Sequence, residues 1–275
     1  MKNRFVYRPV PESRIATFDT FSIGLKKHHV AALLEFDVTE SRRKLQEARR
    51  GGLNISFNGW LVKVIGNVLK EHPEAAAYLR GKNRLMVFND VNISIIVEKM
   101  INGERVPIPV VIEKTNEKTA QEITAEIDDA KKQELSVSDI VINRRSRLSE
   151  RYYYHLPGFL RRLIWKVMLA NPGFAYKRMG NAAVTSVGMM GKVNGWFIHR
   201  SVHPVSFGVG SVIKKPVVIN NEVKIRDILN MTVLVDHDLV DGAPMVRMLK
   251  DLTEYLETGN FINYNSKDQS EAVVT

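Results

Sequence analysis

The spacing of apolar residues predicts helices and strands that alternate along the whole chain. Apolar positions that recur every three or four residues predict helices. The predicted helices cover residues 40–50, 57–72, 119–135, 159–169 and 243–256. Short apolar runs rich in β-branched residues predict strands. These runs cover residues 29–39, 85–88, 91–97, 106–112, 182–187, 205–212, 217–219, 223–225 and 232–235.

Turn-forming and helix-stopping residues set several boundaries. Gly51-Gly52 ends the first predicted helix. Asn89-Asp90 lies between two apolar runs and predicts a hairpin over residues 85–98. Two prolines in residues 106–112 favour a strand at the edge of a sheet. Residues 1–20 are predicted as an extended segment followed by a short polar turn.

Strands and helices mix throughout, with neither an internal repeat nor an obvious linker. This arrangement predicts one layered α/β domain over residues 1–262, followed by a polar tail over 263–275. A length of 275 residues is sufficient for a sizeable core. The basic helix at 159–169 allows two interpretations. It either docks on the core with its apolar face, or it forms a lid, a subunit contact or a membrane-surface helix.

Composition narrows the class of protein. A hydrophobic content of 44% and a charged content of 25% are typical of soluble globular domains. The absence of cysteine excludes disulfides, thiolate metal sites and a cysteine nucleophile, and it is consistent with the cytoplasm. No apolar stretch has the length of a signal peptide core or a membrane span. The net charge of +10 favours anionic partners, but no nucleic-acid motif accompanies it, so no nucleic-acid partner is expected.

The candidate chemistry centres on residues 235–243, Val-Asp-His-Asp-Leu-Val-Asp-Gly-Ala. The strand predicted over 232–235 leads to His237, and Asp241-Gly242 leads into the last helix. A histidine held between two regular elements is well suited to act as a general base.

Residues 184–188, Val-Thr-Ser-Val-Gly, supply candidate donors for an oxyanion. Thr185 and Ser186 point to opposite faces of a strand, so only one of them can face a given site. An ordinary strand with surface hydroxyls is the alternative interpretation. The remaining histidines lack metal-ligand spacing, so no metal is expected. The sequence has neither a glycine-rich phosphate loop nor a Gly-x-Ser-x-Gly turn, which argues against kinases, Rossmann dehydrogenases and common hydrolases.

With this context, the His-x-x-x-Asp-Gly stretch resembles two related families. They are the dihydrolipoyl acyltransferase catalytic domains of 2-oxoacid dehydrogenase complexes and chloramphenicol acetyltransferase. The resemblance covers residues 10–260, with 145–180 as an apparent insertion. It implies a chloramphenicol acetyltransferase-like fold, in which helices pack on a mixed sheet. It also implies an acyltransferase that uses acyl-CoA as substrate, and a homotrimer or larger trimer-based assembly with sites between subunits.

The resemblance also implies roles for individual residues. His237 is the base, and Thr185 takes the place of the serine that donates to the oxyanion, with Ser186 as the fallback. Asp241 pairs with an arginine near the N-terminus, for which Arg14 is the first candidate and Arg8 the second. Three residues are then expected to line the substrate site: Ser186, His29 and Gly242.

Two departures from the family limit what the resemblance implies. Asp238 stands where complex-forming members usually have arginine, and the sequence lacks the lipoyl and subunit-binding domains. No lipoyl attachment is therefore expected in this chain, and a dihydrolipoamide acceptor would be carried by a separate protein. Other acceptor thiols, hydroxyls or amines stay open. The alternatives are an inactive oligomeric scaffold or partner-binding protein of the same fold and, more weakly, a nucleic-acid binder.

Overall fold

The computed structural model describes residues 6–8, 10, 13–81, 83–101, 104–132, 153, 155–186, 191 and 193–262. Its strands are β1 (His29–Asp37), β2 (Tyr78–Arg80), β3 (Arg84–Met86), β4 (Ile93–Ile101), β5 (Glu104–Ile112), β6 (Ala182–Ser186), β7 (Val205–Ile219) and β8 (Glu222–Asp236). Its helices are α1 (Ser13–Gly24), α2 (Thr39–Arg50), α3 (Phe57–Glu71), α4 (Ala120–Lys132), α5 (Gly158–Ala170), α6 (Pro172–Met179) and α7 (Gly242–Thr258).

Six of the described strands form one mixed sheet in the order β1-β8-β7-β6-β4-β5. Strand β6 runs parallel to both of its neighbours, and the other pairs are antiparallel. The proline-containing strand β5 lies at the edge, as predicted, because a proline nitrogen donates no ladder hydrogen bond. Strands β2 and β3 form a separate two-stranded sheet.

One face of the large sheet carries the hydrophobic core. Side chains alternate along each strand, so every second residue of β7 and β8 points to this face. Helices α2, α3, α4 and α7 cover it, and Trp60 of α3 is fully buried there. The indole nitrogen of Trp60 donates to the carbonyl oxygen of Asn260 at 2.7 Å. The largest core side chains in the strands are Phe36, Phe207, Leu229 and Met231.

The opposite face, which we call the second face, is unusually polar. It contains Ser206, Thr232 and Asn230, all of which are buried. Residues 193–204 lie across it, and the Trp196 indole nitrogen donates to the Leu34 carbonyl oxygen at 2.9 Å. Among the described residues, the irregular segment 193–204 rather than a helix supplies hydrogen bonds to the polar groups of this face.

The N-terminal prediction was wrong, since Ser13–Gly24 forms helix α1 rather than an extended segment and a turn. Serine, threonine and isoleucine have modest helix propensity, so local sequence gives little indication of this helix. Tertiary contacts favour it instead. The buried carboxylate of Asp19 accepts hydrogen bonds from Arg161 at 2.6 Å and from Tyr153 at 2.9 Å.

The hairpin predicted over 85–98 was also wrong. Residues 84–86 pair with Tyr78–Arg80, whereas β4 pairs with β5 and β6. Strand β4 is thus an interior strand with neighbours on both sides. The Asn89-Asp90 turn therefore connects two different sheets rather than two partners of one hairpin.

Strands β7 and β8 are longer than the apolar runs suggested and form one continuous hairpin. A bulge between Val209 and Val212 shifts the register, and pairing continues to Ile219 and Glu222. The turn residues Asn220 and Asn221 both have positive φ, as a tight hairpin turn requires. Strand β1 pairs with residues 228–236 of β8. Between Ile228 and the Asn220-Asn221 turn, β7 and β8 pair only with each other among the described strands and project as an arm.

Several predictions fall outside the described residues. They are the end of the helix at 133–135, part of the insertion at 145–152, Val187-Gly188, and the tail over 263–275. Among the described helices, none combines the length and the apolar content that a membrane crossing requires.

Candidate active site

His237 lies in the short turn between β8 and α7. Its backbone N–H donates to the carbonyl oxygen of His28 at 3.0 Å, and the Leu239 N–H donates to the Asp236 carbonyl oxygen at 3.0 Å. The side chain of His237 is 49% exposed. The backbone of this residue is therefore fixed by its neighbour, while its imidazole stays accessible to a substrate.

An ion pair braces the strand end directly before His237. The Nζ atom of Lys27 lies 2.7 Å from the Asp236 carboxylate, which is buried. The two residues are brought together because β1 and β8 are antiparallel, with His29 opposite Asp236. Sequence analysis missed this pair, because only the strand register shows that Lys27 reaches Asp236.

A second, exposed pair joins the same two segments. The Nδ1 atom of His28 lies 2.9 Å from the Asp238 carboxylate. A hydrogen bond to Asp238, together with the attraction of its charge, raises the pKa of His28 above the usual value. Asp238, the residue that departs from the family pattern, therefore has a local partner in this chain.

Asp241 is close to the catalytic candidate but not to the predicted arginine. Its carboxylate lies 4.0 Å from Nδ1 of His237 and is 90% exposed. Arg14 is exposed in the first turn of α1, and the structure forms no ion pair between Arg14 and Asp241. Arg8 is also exposed. Gly242 begins α7, where an added Cβ would contact nothing within 4 Å.

Thr185 lies on β6, opposite Gly208 of β7, which in turn lies opposite Thr232 of β8. Residues paired in this way point to the same side of a sheet, so Thr185 is on the second face. Its neighbour Val184 is in the core, and Ser186 follows the core-facing alternation. Thr232 precedes Asp236, the last residue of β8, by four residues, which is about 13 Å along a strand, and Thr185 lies two strands away from Thr232. One chain therefore does not bring Thr185 and His237 together.

Three other histidines lie on or beside the second face and interact with buried partners. His29 Nε2 lies 3.0 Å from the His203 carbonyl oxygen, and His203 Nε2 lies 2.9 Å from that of Met179. His199 Nε2 hydrogen-bonds the Ser206 hydroxyl. Burial lowers the pKa of His199 and of His203 to about 4, so both rings are neutral near pH 7. Burial also lowers the pKa of His29.

His199 lies over the strand position next to Thr185. A Cβ added to Gly208 would lie 2.7 Å from His199 Nδ1, so only glycine leaves room for the ring. The Thr232 hydroxyl is buried without a hydrogen-bond partner among the described residues. Within the same ranges, no three acidic or histidine side chains are grouped as a metal site would require.

Comparison with known families decides the affiliation of this fold and motif. The sequence pattern of the family described as 2-oxoacid dehydrogenases acyltransferase (catalytic domain) matches residues 15–141 and 178–263. The chain belongs to this family. Between the two matched parts, the acyltransferase pattern leaves residues 142–177 unmatched, and these contain α5 and most of α6.

Two curated relatives illustrate the similarity. One is the dihydrolipoyllysine-residue acetyltransferase component of the pyruvate dehydrogenase complex of Corynebacterium glutamicum. It is 26% identical over 236 residues, covering 82% of this chain and 29% of the relative. The other is the lipoamide acyltransferase component of the branched-chain alpha-keto acid dehydrogenase complex of Bacillus subtilis. It is 23% identical over 239 residues, covering 84% of this chain and 47% of the relative. The chain thus spans less than half the length of either relative.

Solved structures agree on the fold. A probable dihydrolipoamide acetyltransferase from Listeria monocytogenes superposes with a TM-score of 0.68 at 20% identity, covering 95% of this chain and 98% of that one. The cubic core of a pyruvate dehydrogenase multienzyme complex superposes with a TM-score of 0.67 at 18% identity, covering 95% of this chain and 96% of that one. The predicted α/β fold, with helices packed on a mixed sheet, is confirmed, as is the predicted family.

Proposed function

We propose that this chain transfers an acyl group between coenzyme A and the thiol of dihydrolipoamide, with His237 as the general base. The observation that carries the proposal is the position of His237. Its backbone is bound to His28, directly before β1, the residue before it is held by an ion pair to a buried carboxylate, and its ring is half exposed. Family membership and the names of the curated relatives support acyl transfer as the reaction.

The proposed reaction needs one proton acceptor and one hydrogen-bond donor. His237 takes the proton of the acceptor thiol, and the thiolate attacks the thioester carbonyl of acyl-CoA. Thr185 donates a hydrogen bond to the oxyanion that forms, and Ser186 is the alternative donor. The bond between the carbonyl carbon and the coenzyme A sulfur then breaks, and the imidazolium protonates the departing thiolate. Asp241, whose carboxylate lies 4.0 Å from Nδ1 of His237, is proposed to help orient the imidazole.

We infer that each active site combines His237 of one copy with Thr185 of another. The support is the strand register, which places Thr185 two strands away from β8 and about 13 Å along the strands from the end of β8 that precedes His237. A hydrogen bond to an oxyanion requires a donor within about 3 Å of that atom, so one chain does not supply both groups to one substrate. A cyclic assembly solves this problem, because each interface joins two different surfaces of identical chains.

The arm formed by β7 and β8 supports self-assembly, for which we propose a homotrimer. Val218 and Val223 are directly paired near its tip and are about 70% exposed, and Ile225 is 64% exposed. They continue the core-facing alternation beyond the helices that cover the core. Neighbouring apolar side chains that project from a sheet into solvent are typical of a surface that another chain covers.

Formation of S-acetyl-dihydrolipoamide from acetyl-CoA tests the activity directly. Product should be detected by mass spectrometry with free dihydrolipoamide or with a reduced lipoyl domain as acceptor. His237→Ala should reduce the rate by about 10²–10⁴-fold. The control His155→Ala removes an exposed histidine elsewhere and should retain full activity. If His237→Ala were as active as the control, the assignment of the base would be wrong. An assembled wild type that is inactive with every acyl-CoA and acceptor would favour the scaffold alternative.

Mixing two inactive variants tests the shared site. His237→Ala and Thr185→Ala chains, each inactive alone, should regain activity when unfolded together and refolded as mixed trimers. About a quarter of the interfaces in an equal mixture would combine an intact His237 with an intact Thr185. Recovery of about a quarter of wild-type activity would support a site between copies. A mixture as inactive as its components, although assembled, would show that both residues act within one chain.

A further inference from the structure

Helix α5 is amphipathic, but its apolar stripe faces solvent rather than the core. Phe159, Leu163 and Val167 lie on one side of the helix and are each more than half exposed, and Ile164 is 47% exposed. The interpretation in which this face docks on the core is therefore wrong, because among the residues of α5 only Met168 is buried. Four apolar side chains on one helix surface would normally be covered by another apolar phase.

Polar contacts on the other side of α5 fix this orientation. Arg161 forms an ion pair with Asp19 of α1 at 2.6 Å, and both groups are largely buried. The Tyr153 hydroxyl donates to the same carboxylate at 2.9 Å, and Trp165 donates to the Tyr153 oxygen at 3.0 Å. Rotating the helix to bury its stripe would break these bonds and leave Asp19 unpaired, which is costly for a buried charge. The exposed stripe is thus part of the folded arrangement.

Helix α1, to which α5 is anchored, has a second exposed stripe. Phe18, Phe21 and Leu25 follow helical spacing and are all exposed. The residues of α1 that face α5, by contrast, include the buried Asp19. Helices α1 and α5, which are joined through Asp19 and Arg161, therefore each carry an exposed apolar stripe.

Charge indicates what covers the stripe on α5. Residues 151–221 contain ten lysines and arginines but no aspartate or glutamate, so this one segment accounts for the net charge of +10 of the whole chain. Arg162 and Lys166 are exposed and border the stripe. A second copy that docked through the same face would bring equally basic surfaces together, and such like-charge contacts are unfavourable. An anionic surface would attract them.

We propose that α5 seats this protein on the surface of an anionic phospholipid membrane. Its apolar stripe would enter the boundary between headgroups and acyl chains, and its flanking cations would contact the headgroup phosphates. This is the usual binding mode of a surface-lying amphipathic helix. The unmatched segment 142–177 would thus add an attachment device to the acyltransferase fold. The proposal does not depend on catalysis by His237.

Vesicle flotation tests the proposal with the full chain. The protein should float with phosphatidylcholine vesicles that contain phosphatidylglycerol, less with pure phosphatidylcholine, and less again when salt is added. The double variant L163S/V167S should lower the vesicle partition coefficient by about tenfold or more. Its matched control is L85S/V246S, because those residues are also exposed and Val246 is as exposed on a helix as Val167. The control should float like wild type.

The charge is tested separately with R162Q/K166Q, which should weaken binding to vesicles containing phosphatidylglycerol and leave the weak binding to neutral vesicles unchanged. Circular dichroism and light scattering on the same samples check that each variant is folded and assembled. Wild type that does not float would overturn the proposal, as would equal flotation of L163S/V167S and its control. A change in oligomeric mass without a change in flotation would also overturn it, and would assign the stripe to contacts between copies.

Discussion

The ammonium group of Lys27 lies 2.7 Å from the carboxylate of Asp236, and this pair ties the segment directly before β1 to the end of β8. Asp236 is almost completely buried, whereas Lys27 is partly accessible. His237 follows directly, so the position of the proposed base depends on a contact between residues 209 positions apart. The pair is therefore both a stability element and a positioning device.

Lys27→Met should destabilise the protein by about 3 kcal/mol, because it leaves the buried Asp236 carboxylate without its cation. Urea unfolding provides the measurement. Lys26→Met is the matched control, since Lys26 is the exposed neighbour and the chemical change is the same. We also expect Lys27→Met to lower kcat for acyl transfer. Equal stability of the two variants would contradict the role assigned to the pair.

The exposed pair between His28 and Asp238 should be visible in a titration. Asp238 raises the pKa of His28, so the pair stabilises the folded protein at low pH, and this contribution is lost as pH rises through the folded-state pKa. Asp238→Asn should return the His28 pKa towards 6.5, as followed by NMR of the imidazole protons. Asp241→Asn should leave the His28 titration unchanged. If the His28 pKa were the same in Asp238→Asn as in wild type, the His28–Asp238 pair would not form in solution.

Because His203 is buried, we predict that the free energy of unfolding decreases in mild acid. Its pKa is about 4 in the folded protein and 6.5 ordinarily, so protons bind the unfolded chain first. Stability should therefore fall as pH decreases from 6.5 to 4, by about 3 kcal/mol for this residue. His203→Gln should flatten that dependence, whereas His155→Gln, at an exposed site, should keep it. Urea unfolding at several pH values measures both slopes, and parallel slopes would argue against a neutral buried His203.

Alanine substitutions at two glycines with positive φ distinguish the energetic cost of backbone strain from that of a steric clash. Gly180 has a φ of 75°, and a Cβ there would lie 2.3 Å from the Asn92 carbonyl oxygen. Gly52 has a φ of 91°, with nothing within 4 Å of such a Cβ. Gly52→Ala should cost about 1 kcal/mol from the backbone alone, and Gly180→Ala about 3 kcal/mol or more. Thermal unfolding compares them, and equal losses would mean that the chain at Asn92 moves freely.

Sequence patterns predicted the elements whose burial is regular. Strand β1 and helix α7 each have one face that is more buried than the other, and that periodicity is visible in the residues themselves. Helix α3 was predicted from its apolar spacing too, although the structure buries it on nearly all sides. Helix α1 was missed because its stability comes from Asp19 and its partners on α5, not from local propensity. The hairpin over 85–98 was misassigned because apolar runs do not indicate which strand pairs with which.

For the candidate site, the sequence indicated the proposed base but not the residues that hold it in place. His237 lies between a strand and a helix as predicted, but its position depends on Lys27 and His28, whose contacts are visible only in the strand register. The expected ion pair between Arg14 and Asp241 is not formed, because α1 leads Arg14 into solvent. The distance between Thr185 and His237 likewise depends on the order and register of the strands, which neither sequence motif indicates.

The pairing of His29 with Asp236 also has a consequence for biosynthesis. Among the described strands, β1 leaves the ribosome first, whereas its main-chain partner β8 emerges after all the others. Until then the nascent chain carries an open apolar edge beside a half-formed sheet, a situation that favours chaperone binding and aggregation. Pairing of β1 with β8 must wait for the last described strand, so the turn bearing His237 is completed only after every other described strand has been synthesised.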